Sequence, residues 1–191
     1  MPQLANLLLK GKPVEAHRPW RRVIVTAEVW QDIAGELAQG HATLLGLWGD
    51  STTVPTVHMA IMSGEAGEIT VVTIECPTGN FPSIGAVHPP AIRLERAISS
   101  LYGLEPVGAP DTRPWLDLGF WDVQHPLGAR TAPPPAPAPY TFLSVEGESL
   151  HQIPVGPVHA GIIEPGHFRF TAGGETVARL EQRLGYVHKG I

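Results

Sequence analysis

The sequence predicts an α+β protein with a small sheet and two helices, followed by a proline-rich linker and a strand-rich C-terminal segment. Three observations predict this class. Short runs rich in β-branched residues alternate with two segments of helical period in the first half of the chain. Five prolines fall among the nine residues 131–139, and the segment 167–171 alternates polar and apolar residues as a half-buried strand does.

The first helix is predicted over 27–39. Its apolar residues Val29, Ile33 and Leu37 recur every four positions, which is the spacing of an amphipathic helix. Thr26 stands immediately before this segment and is a residue type that caps helix N-termini. The sequence therefore predicts one well-defined helix that directly follows a short β-rich run.

The other elements of the first segment follow from alternation and from glycine and proline stops. We expect one strand before the first helix, three strands after it, and then a second helix with Pro90 near its start and Gly103 at its end. The predicted strands are 21–26, 41–50, 56–64 and 68–75, and the second helix is 91–103. The predicted order is therefore β-α-β-β-β-α.

The domain boundary is predicted at the proline-rich stretch. Residues 131–139 read TAPPPAPAP, which can be neither a helix nor a central strand and is typical of a semi-rigid polyproline II spacer. A proline-rich ligand for an SH3-like partner is the alternative, but no basic residue lies beside a PxxP core. We therefore expect one domain over 1–130, a linker over 131–139, and a second domain, or the beginning of one, over 140–191.

In the C-terminal segment, strand-like runs are predicted at 140–147, 148–156 and 167–171, with a tight turn at 173–174. The segment 176–184 reads TVARLEQRL, and residue propensity alone makes it a helix.

Composition points to a packed protein and excludes several functions. The chain has 191 residues, of which 43% are hydrophobic and 16% charged, unlike a disordered chain. A net charge of −5 argues against nucleic-acid binding. Because Cys76 is the single cysteine, one chain can hold neither a disulfide nor a Cys₄ metal site. No apolar stretch approaches the ~20 residues of a membrane span, so we expect a soluble, intracellular protein.

The segment from Glu95 to Gly128 resembles the signature of the 30 kDa subunit of respiratory complex I. The residues that match are Glu95, Arg96, Tyr102, Gly103, Pro110, Asp111, Arg113, Trp121, His125, Pro126 and Leu127. Two positions depart from the family pattern, since Ala97 stands where the family has a second glutamate and Ser100 stands where it has aspartate. The charged cluster of this helix is therefore thinner than is usual in the family.

The tail from His151 to Ile191 resembles the opening of the complex I 49 kDa subunit and of the large subunits of membrane-bound [NiFe] hydrogenases. The residues that match are Gly156, Pro157, His159, Glu164, Pro165, Gly166, His167, Phe168, Gly174, Glu175 and the run from Gly185 to Gly190. A chain that joins both resemblances through a linker is similar to the large subunits of the formate hydrogenlyase type.

These resemblances imply a fold and a missing part. The fold is a small mixed sheet with two helices, a proline-rich linker, and a C-terminal antiparallel β-hairpin layer over 151–188, in which 176–184 is a strand. They also imply that the sequence stops before a helical core that carries the metal ligands. The parent complex would hold a [NiFe] centre and iron–sulfur clusters. This chain by itself would bind no cofactor and no metal, and it would have no activity.

The resemblances imply roles for eight residues. Glu164 would be a proton relay in the parent protein, with an ordinary turn acid as the alternative. His159 and His167 would line the cavity wall, and we favour structural histidines there over metal ligands. A subunit interface would include Glu95, Arg96, Asp111, Arg113 and His125. For Glu95 and Arg96, a solvated helix face is an equal alternative.

The predicted function is that of the N-terminal portion of a complex I-related hydrogenase large subunit. It would act in assembly and as part of the active-site wall in proton-coupled electron transfer, on the inner, cytoplasmic face of the membrane and peripheral to it. The expected partners are other subunits, with neither nucleic acid nor membrane insertion. In isolation, an uncovered Phe168 and Phe170 face favours a homodimer. The alternatives are an NADH-quinone oxidoreductase component of the 30/49 kDa type and a stand-alone interaction domain without catalysis.

Overall fold

The computed structural model describes residues 2–63, 67–117, 121–128, 133, 141–158, 164–184 and 186. The chain divides into two compact units, Met1–Ala138 and Pro139–Ile191. The domain limits at 130 and 140 stay a prediction, because the linker 131–139 lies outside the described residues except for Pro133.

The first unit contains three helices and seven strands among its described residues. The helices are α1 (Pro2–Leu9), α2 (Ala27–Ala38) and α3 (Ile92–Tyr102), and a 3₁₀ turn at Pro89–Ala91 leads into α3. The strands are β1 (Lys12–Pro13), β2 (Arg21–Val25), β3 (Ala42–Asp50), β4 (Thr56–Ser63), β5 (Glu68–Glu75), β6 (Asn80–Pro82) and β7 (Glu105–Val107).

Five of these strands form a mixed sheet in the order β1-β2-β5-β4-β3. Strands β2 and β5 run parallel, with Val23 opposite Val72, and the other neighbours are antiparallel. Strands β6 and β7 form a separate parallel pair. The predicted α+β class with a mixed sheet is confirmed.

The core lies between the helices and one face of the five-stranded sheet. Apolar side chains of α2 and α3 form one buried cluster with alternate residues of β2, β3, β4 and β5, including Trp30, Ile33, Ile98, Val23 and Met59. Full burial of each such side chain contributes about 1.5–3 kcal/mol. The Trp30 indole N–H donates to the Pro82 carbonyl at 3.0 Å, so the largest core side chain is also hydrogen-bonded.

Helix α1 was not among the predicted elements. Its residues Leu4, Leu7 and Leu8 are buried at helical spacing and belong to the same core cluster. The leucine run at 7–9 is therefore part of the folded unit, and packing against the core stabilises this short helix.

The second unit is a three-stranded antiparallel sheet in the order β10-β9-β8. Its strands are β8 (Leu150–Val158), β9 (Gly166–Gly173) and β10 (Thr176–Arg183). The segment 176–184 is thus a strand through residue 183, as the family resemblance implied and against its helical propensity. The strand expected over 140–147 is wrong, since residues 141–147 have no regular structure.

Polar and apolar side chains separate onto the two faces of this second sheet. Phe170 lies opposite Ile153 on one side and Leu180 on the other, so the three side chains share one face. Ile153 is 45% exposed and Leu180 is 46% exposed. The charged residues of β9 and β10, namely Arg169, Arg179, Glu181 and Arg183, occupy the opposite face. The apolar face is therefore open to solvent in this chain.

Candidate functional site

Helix α3 carries two of the residues predicted to form a subunit interface, Glu95 and Arg96. It begins after the prolines of the 3₁₀ turn and ends at Gly103, whose φ of 68° suits glycine. Glu95 is 1% exposed and Arg96 is 7% exposed. The alternative of a solvated charged face is therefore wrong, and each side chain holds a separate loop.

The Glu95 carboxylate holds the loop that follows β6. It accepts hydrogen bonds from the Ser83 hydroxyl at 2.8 Å, from the Gly85 N–H at 3.1 Å and from the Ile84 N–H. A Cβ on Gly85 would lie 2.7 Å from Glu95 Oε2, so this close approach favours glycine. Burial raises the pKa of Glu95, and it outweighs the opposite effect of these hydrogen bonds.

The Arg96 guanidinium holds a second loop, residues 111–115. Its Nε donates to the Arg113 carbonyl at 2.7 Å, and its Nη2 donates to the Pro114 carbonyl at 2.9 Å. Its Nη1 donates to Asp111 Oδ2 at 3.0 Å, which adds a largely buried ion pair. One side chain therefore fixes three points of this loop to the helix.

Asp111 and Arg113 form an ion pair within the same loop. Arg113 Nε and Nη2 donate to the two carboxylate oxygens of Asp111 at 2.9 and 2.8 Å, which is a bidentate pair. The hydrogen bonds from Arg113, with Arg96 also close, hold the pKa of Asp111 below its ordinary value. Arg96, Asp111 and Arg113 thus form one ion-pair cluster beside Glu95, and their contact with another subunit stays a prediction.

His125 lies at the C-terminal end of α3. Its backbone has a φ of 51°, and its ring packs so closely on Gly103 that a Cβ there would lie 2.9 Å from His125 Cδ2. Two residues on, the Leu127 N–H donates to the Leu101 carbonyl at 2.9 Å. The structure therefore gives His125 a loop-packing position, and an interface role stays a prediction.

The structure describes two of the three residues predicted for the proton relay and the cavity wall, namely Glu164 and His167. Glu164 is exposed and lies two residues before β9. His167 lies in β9, with its Nδ1 3.3 Å from the Gly156 carbonyl oxygen and its ring 5.3 Å from that of Phe142. His159 lies outside the described residues. The proton-relay role of Glu164 therefore stays a prediction about a larger protein.

The described residues contain neither a cluster of metal-ligand side chains nor a membrane-spanning helix. Among the described residues, no three histidine, cysteine, aspartate or glutamate side chains are grouped so that they could hold a metal ion. Burial raises the pKa of the Cys76 thiol to about 11, so this cysteine is a protonated core residue. No helix within the described ranges has the length and apolar character needed to cross a membrane.

Sequence reasoning missed a buried polar cluster centred on His58 in β4. His58 Nδ1 lies 2.9 Å from Thr73 Oγ1, and Nε2 lies 3.1 Å from Thr56 Oγ1. Arg22 Nε also donates to Thr73 Oγ1 at 2.9 Å. Burial lowers the pKa of His58 to about 4, and the nearby Arg22 charge adds to this effect. A single histidine in an apolar strand gives no sequence signal for such a cluster.

The fold and these contacts define the class of the first unit. It is an α+β domain in which one helix fixes two loops through buried charged side chains, an arrangement that builds a rigid surface. The family model described as respiratory-chain NADH dehydrogenase, 30 kDa subunit, matches residues 23–133, which is more than half of the chain. The chain belongs to this family, and the resemblance found between Glu95 and Gly128 is confirmed.

Two curated relatives come from Escherichia coli (strain K12). The chain is 35% identical to formate hydrogenlyase subunit 5 over 161 residues and 32% identical to hydrogenase-4 component G over 160 residues. Each match covers 76% of this chain but only 28% and 29% of the respective relative. The chain therefore spans less than a third of the length of these relatives.

The fold also matches a solved structure at low sequence identity. A chain of the membrane-bound sulfane sulfur reductase, an archaeal respiratory membrane complex, aligns with a TM-score of 0.50 and 14% identity. The alignment covers 61% of this chain and 74% of that chain. At this identity the likeness concerns the fold alone.

Proposed function

We propose that the chain is the N-terminal portion of a complex I-related hydrogenase large subunit. The first unit would serve assembly with other subunits, and the second would form part of the active-site wall. The observation that carries the proposal is the match of three quarters of the chain to two hydrogenase components. The complex would lie at the cytoplasmic face of the membrane, and this chain would be peripheral within it.

The metal chemistry would belong to other parts of the assembly. The described residues offer no ligand set for a [NiFe] centre or an iron–sulfur cluster, and the chain has a single cysteine, which is buried. The missing core, of the 49 kDa or hydrogenase type, would supply those ligands. The chain alone would therefore be inactive.

The open apolar face of the second sheet supports the wall role. Three strands of about eight residues make a face of about 14 by 27 Å, or roughly 400 Å². Two such faces together bury about 800 Å², less than the ~1,200 Å² of a stable interface between two proteins. If the rest of one longer polypeptide covers this face, the entropy cost of bringing two separate molecules together does not arise. We therefore favour this arrangement over a homodimer.

Glu164 would be the proton relay of this wall, with His159 and His167 beside it. Its carboxylate is exposed in this chain. In the complete subunit, cover over the sheet would exclude water from the carboxylate and place it within reach of a reacting metal centre, as proton transfer requires. Glu164→Gln in the complete protein should then lower proton-coupled turnover sharply without lowering the metal content. Unchanged turnover would reject the relay.

Affinity purification from the native organism tests the proposed function. The chromosomal gene is tagged, membranes are solubilised in a mild detergent, and the purified material is analysed by mass spectrometry and for nickel. We expect the tagged protein to extend beyond Ile191 and to co-purify with hydrogenase subunits and nickel. A protein that purifies alone without nickel contradicts the proposal.

A pair of variants links this result to the second sheet. Leu180→Lys places a charge on the open apolar face and should reduce the recovery of the nickel-containing complex. Arg179→Gln changes the neighbouring position on the polar face and should leave recovery unchanged. Equal recovery from both variants would show that the apolar face is not covered in the complex.

The family match favours a second candidate, a component of an NADH-quinone oxidoreductase of the 30/49 kDa type. The family description names the respiratory-chain NADH dehydrogenase. The same purification separates the two candidates, because a quinone reductase would co-purify without nickel and would oxidise NADH in the presence of a quinone.

A further inference from the structure

A tryptophan flanked by two arginines lies at the junction of α3 and the 111–115 loop. The guanidinium carbons of Arg93 and Arg96 lie 5.2 and 5.1 Å from the centre of the Trp115 ring. Trp115 remains 37% exposed, and Arg93 is exposed as well. We call Arg93, Arg96, Arg113 and Trp115 the Arg–Trp surface.

The Arg–Trp surface is positively charged in a chain that is acidic overall. Arg96 and Arg113 share the Asp111 carboxylate and Arg93 is exposed, whereas the whole chain has a net charge of −5. The Glu95 carboxylate does not offset this charge, because it is buried and directed at residues 83–85. Within the described part of the chain, no carboxylate forms an ion pair with Arg93.

The Arg–Trp surface is fixed in place before any partner binds. Arg96 is bonded to the carbonyls of Arg113 and Pro114, and Arg113 is bidentate to Asp111. The loop that carries Trp115 is therefore hydrogen-bonded to Arg96 of α3 at three positions, 111, 113 and 114. Binding to a preorganised surface loses less conformational entropy than binding to a mobile one.

We propose that the Arg–Trp surface docks an acidic segment of a partner protein, with a carboxylate on Arg93 and an apolar side chain on Trp115. Arginine and tryptophan are the residue types enriched at the energetic centres of protein interfaces. The proposal rests on the assembly role proposed above and names the chemistry of the partner. An anionic membrane is the less favoured occupant, because membrane-binding clusters carry about 4–8 basic residues.

Peptide titration of the ¹⁵N-labelled chain tests the proposal by NMR. The probe is acetyl-Gly-Leu-Asp-Glu-Leu-Gly-amide at millimolar concentration, and its control has asparagine and glutamine in place of the two acids. We expect saturable shifts of the Trp115 indole N–H and the Arg93 Nε–H with the acidic peptide alone. Raising the salt to about 1 M should weaken the binding severalfold, since the Debye length falls to about 3 Å.

Two variants locate the binding. Arg93→Gln should weaken the binding of the acidic peptide about tenfold or more. Arg21→Gln removes another exposed arginine of the same unit and should leave the affinity unchanged. The indole signals of the other four tryptophans serve as the check that each variant is folded.

Three outcomes would overturn the proposal. The first is an absence of shifts at Trp115 and Arg93 with the acidic peptide. The second is an equal response to the acidic and the amide peptides. The third is a response to phosphatidylglycerol-containing vesicles without a response to the peptide, which would assign the surface to a membrane. Failure to co-purify with a hydrogenase would leave these peptide results intact, so the two proposals fail separately.

Discussion

Arg93 and Arg96 lie one turn apart on α3, yet their surroundings differ. Arg96 is buried and donates to two backbone carbonyls and one carboxylate, whereas Arg93 is exposed and contacts the Trp115 ring. The stability lost when a hydrogen-bonded charged side chain is removed depends mostly on which buried polar groups are left without a hydrogen bond. The two arginines should therefore respond very differently to the same substitution.

Arg96→Met should lower the free energy of unfolding of the first unit by about 3 kcal/mol. The substitution keeps much of the side-chain volume but leaves two loop carbonyls without donors and Asp111 with one cation fewer. Urea unfolding followed by tryptophan fluorescence measures this, because all five tryptophans lie in the first unit. The matched Arg93→Met variant should change the value by less than about 0.5 kcal/mol. Equal effects of the two substitutions would contradict the loop-holding role of Arg96.

His58 should make the first unit less stable as the pH falls from about 6.5 to about 4. Its folded pKa is about 4 and its ordinary value is 6.5, so the unfolded chain binds the proton first and the stability present above pH 6.5 is lost. The loss should approach about 3 kcal/mol. The raised pKa of Glu95 acts in the opposite direction.

The comparison with His58→Gln isolates the contribution of this histidine. Glutamine can keep a hydrogen bond to Thr73 but does not titrate, so the free energy of unfolding of the variant should fall less between pH 7 and pH 5. The urea concentrations at the unfolding midpoints of the unsubstituted protein and the variant, measured at several pH values, give this difference in stability. Parallel pH profiles would show that His58 is not buried in its neutral form.

Strand β3 and helix α3 are in tight contact at Gly49. Gly49 of β3 lies beneath the Tyr102 ring of α3, and a Cβ there would lie 2.7 Å from Tyr102 Cδ2. Gly46, on the same strand, has no atom outside its immediate neighbours closer than 3.8 Å to the position of its Cβ. The strand therefore needs glycine at one of these positions and tolerates a side chain at the other.

Gly49→Ala should lower the free energy of unfolding by about 1–3 kcal/mol, because the Tyr102 ring must move out of the helix–sheet contact. Gly46→Ala is the matched control, and it should be neutral or slightly stabilising, since alanine restricts the unfolded chain. Thermal unfolding of both variants checks this pair. A Gly46→Ala variant as unstable as Gly49→Ala would rule out the tight contact as the cause.

The sequence predicted helices and strands correctly where the local residue pattern and the tertiary packing favour the same structure. Helix α2 was found from its spacing and from Thr26, whose Oγ1 accepts from the Val29 N–H at 3.4 Å. Helix α1 has only eight residues, and burial of its leucines in the core stabilises it. Strand β10 has helical propensity, and its pairing with β9 decides its structure. Only the family resemblance predicted that strand.

The candidate site could be located from the sequence, but its geometry could not. The motif from Glu95 to Arg113 names residues that the structure joins in one ion-pair cluster, and their interface role stays a prediction. The burial of Glu95 and Arg96 depends on loops whose partners lie 10–18 positions away in sequence. His58 and Thr73 meet through strand register, which one sequence does not reveal. No local sequence pattern predicts the position of Trp115, because its stacking with Arg93 and Arg96 is a tertiary contact.

In the whole molecule, the two units differ in how completely they bury their apolar residues. The first unit encloses its core between the helices and one face of the five-stranded sheet, whereas the second leaves Ile153, Val155, Val177 and Leu180 exposed. Apolar side chains that stay exposed contribute little to the stability of a sheet, because they are not removed from water. The two units should therefore differ in their resistance to proteases.

Limited proteolysis of the whole chain should leave a resistant N-terminal core. We expect the first cuts within 131–139 or beyond Gly166, because the proline-rich sequence is typical of a spacer and apolar side chains of the second sheet are exposed. A short time course with proteinase K, stopped by acid and read by mass spectrometry, gives the order of the cuts. Cuts between β3 and β4 in the first unit should come later, since both strands pair over their full length there. A single protected species of all 191 residues would contradict the division at the linker and would mean that the second sheet is covered within this chain.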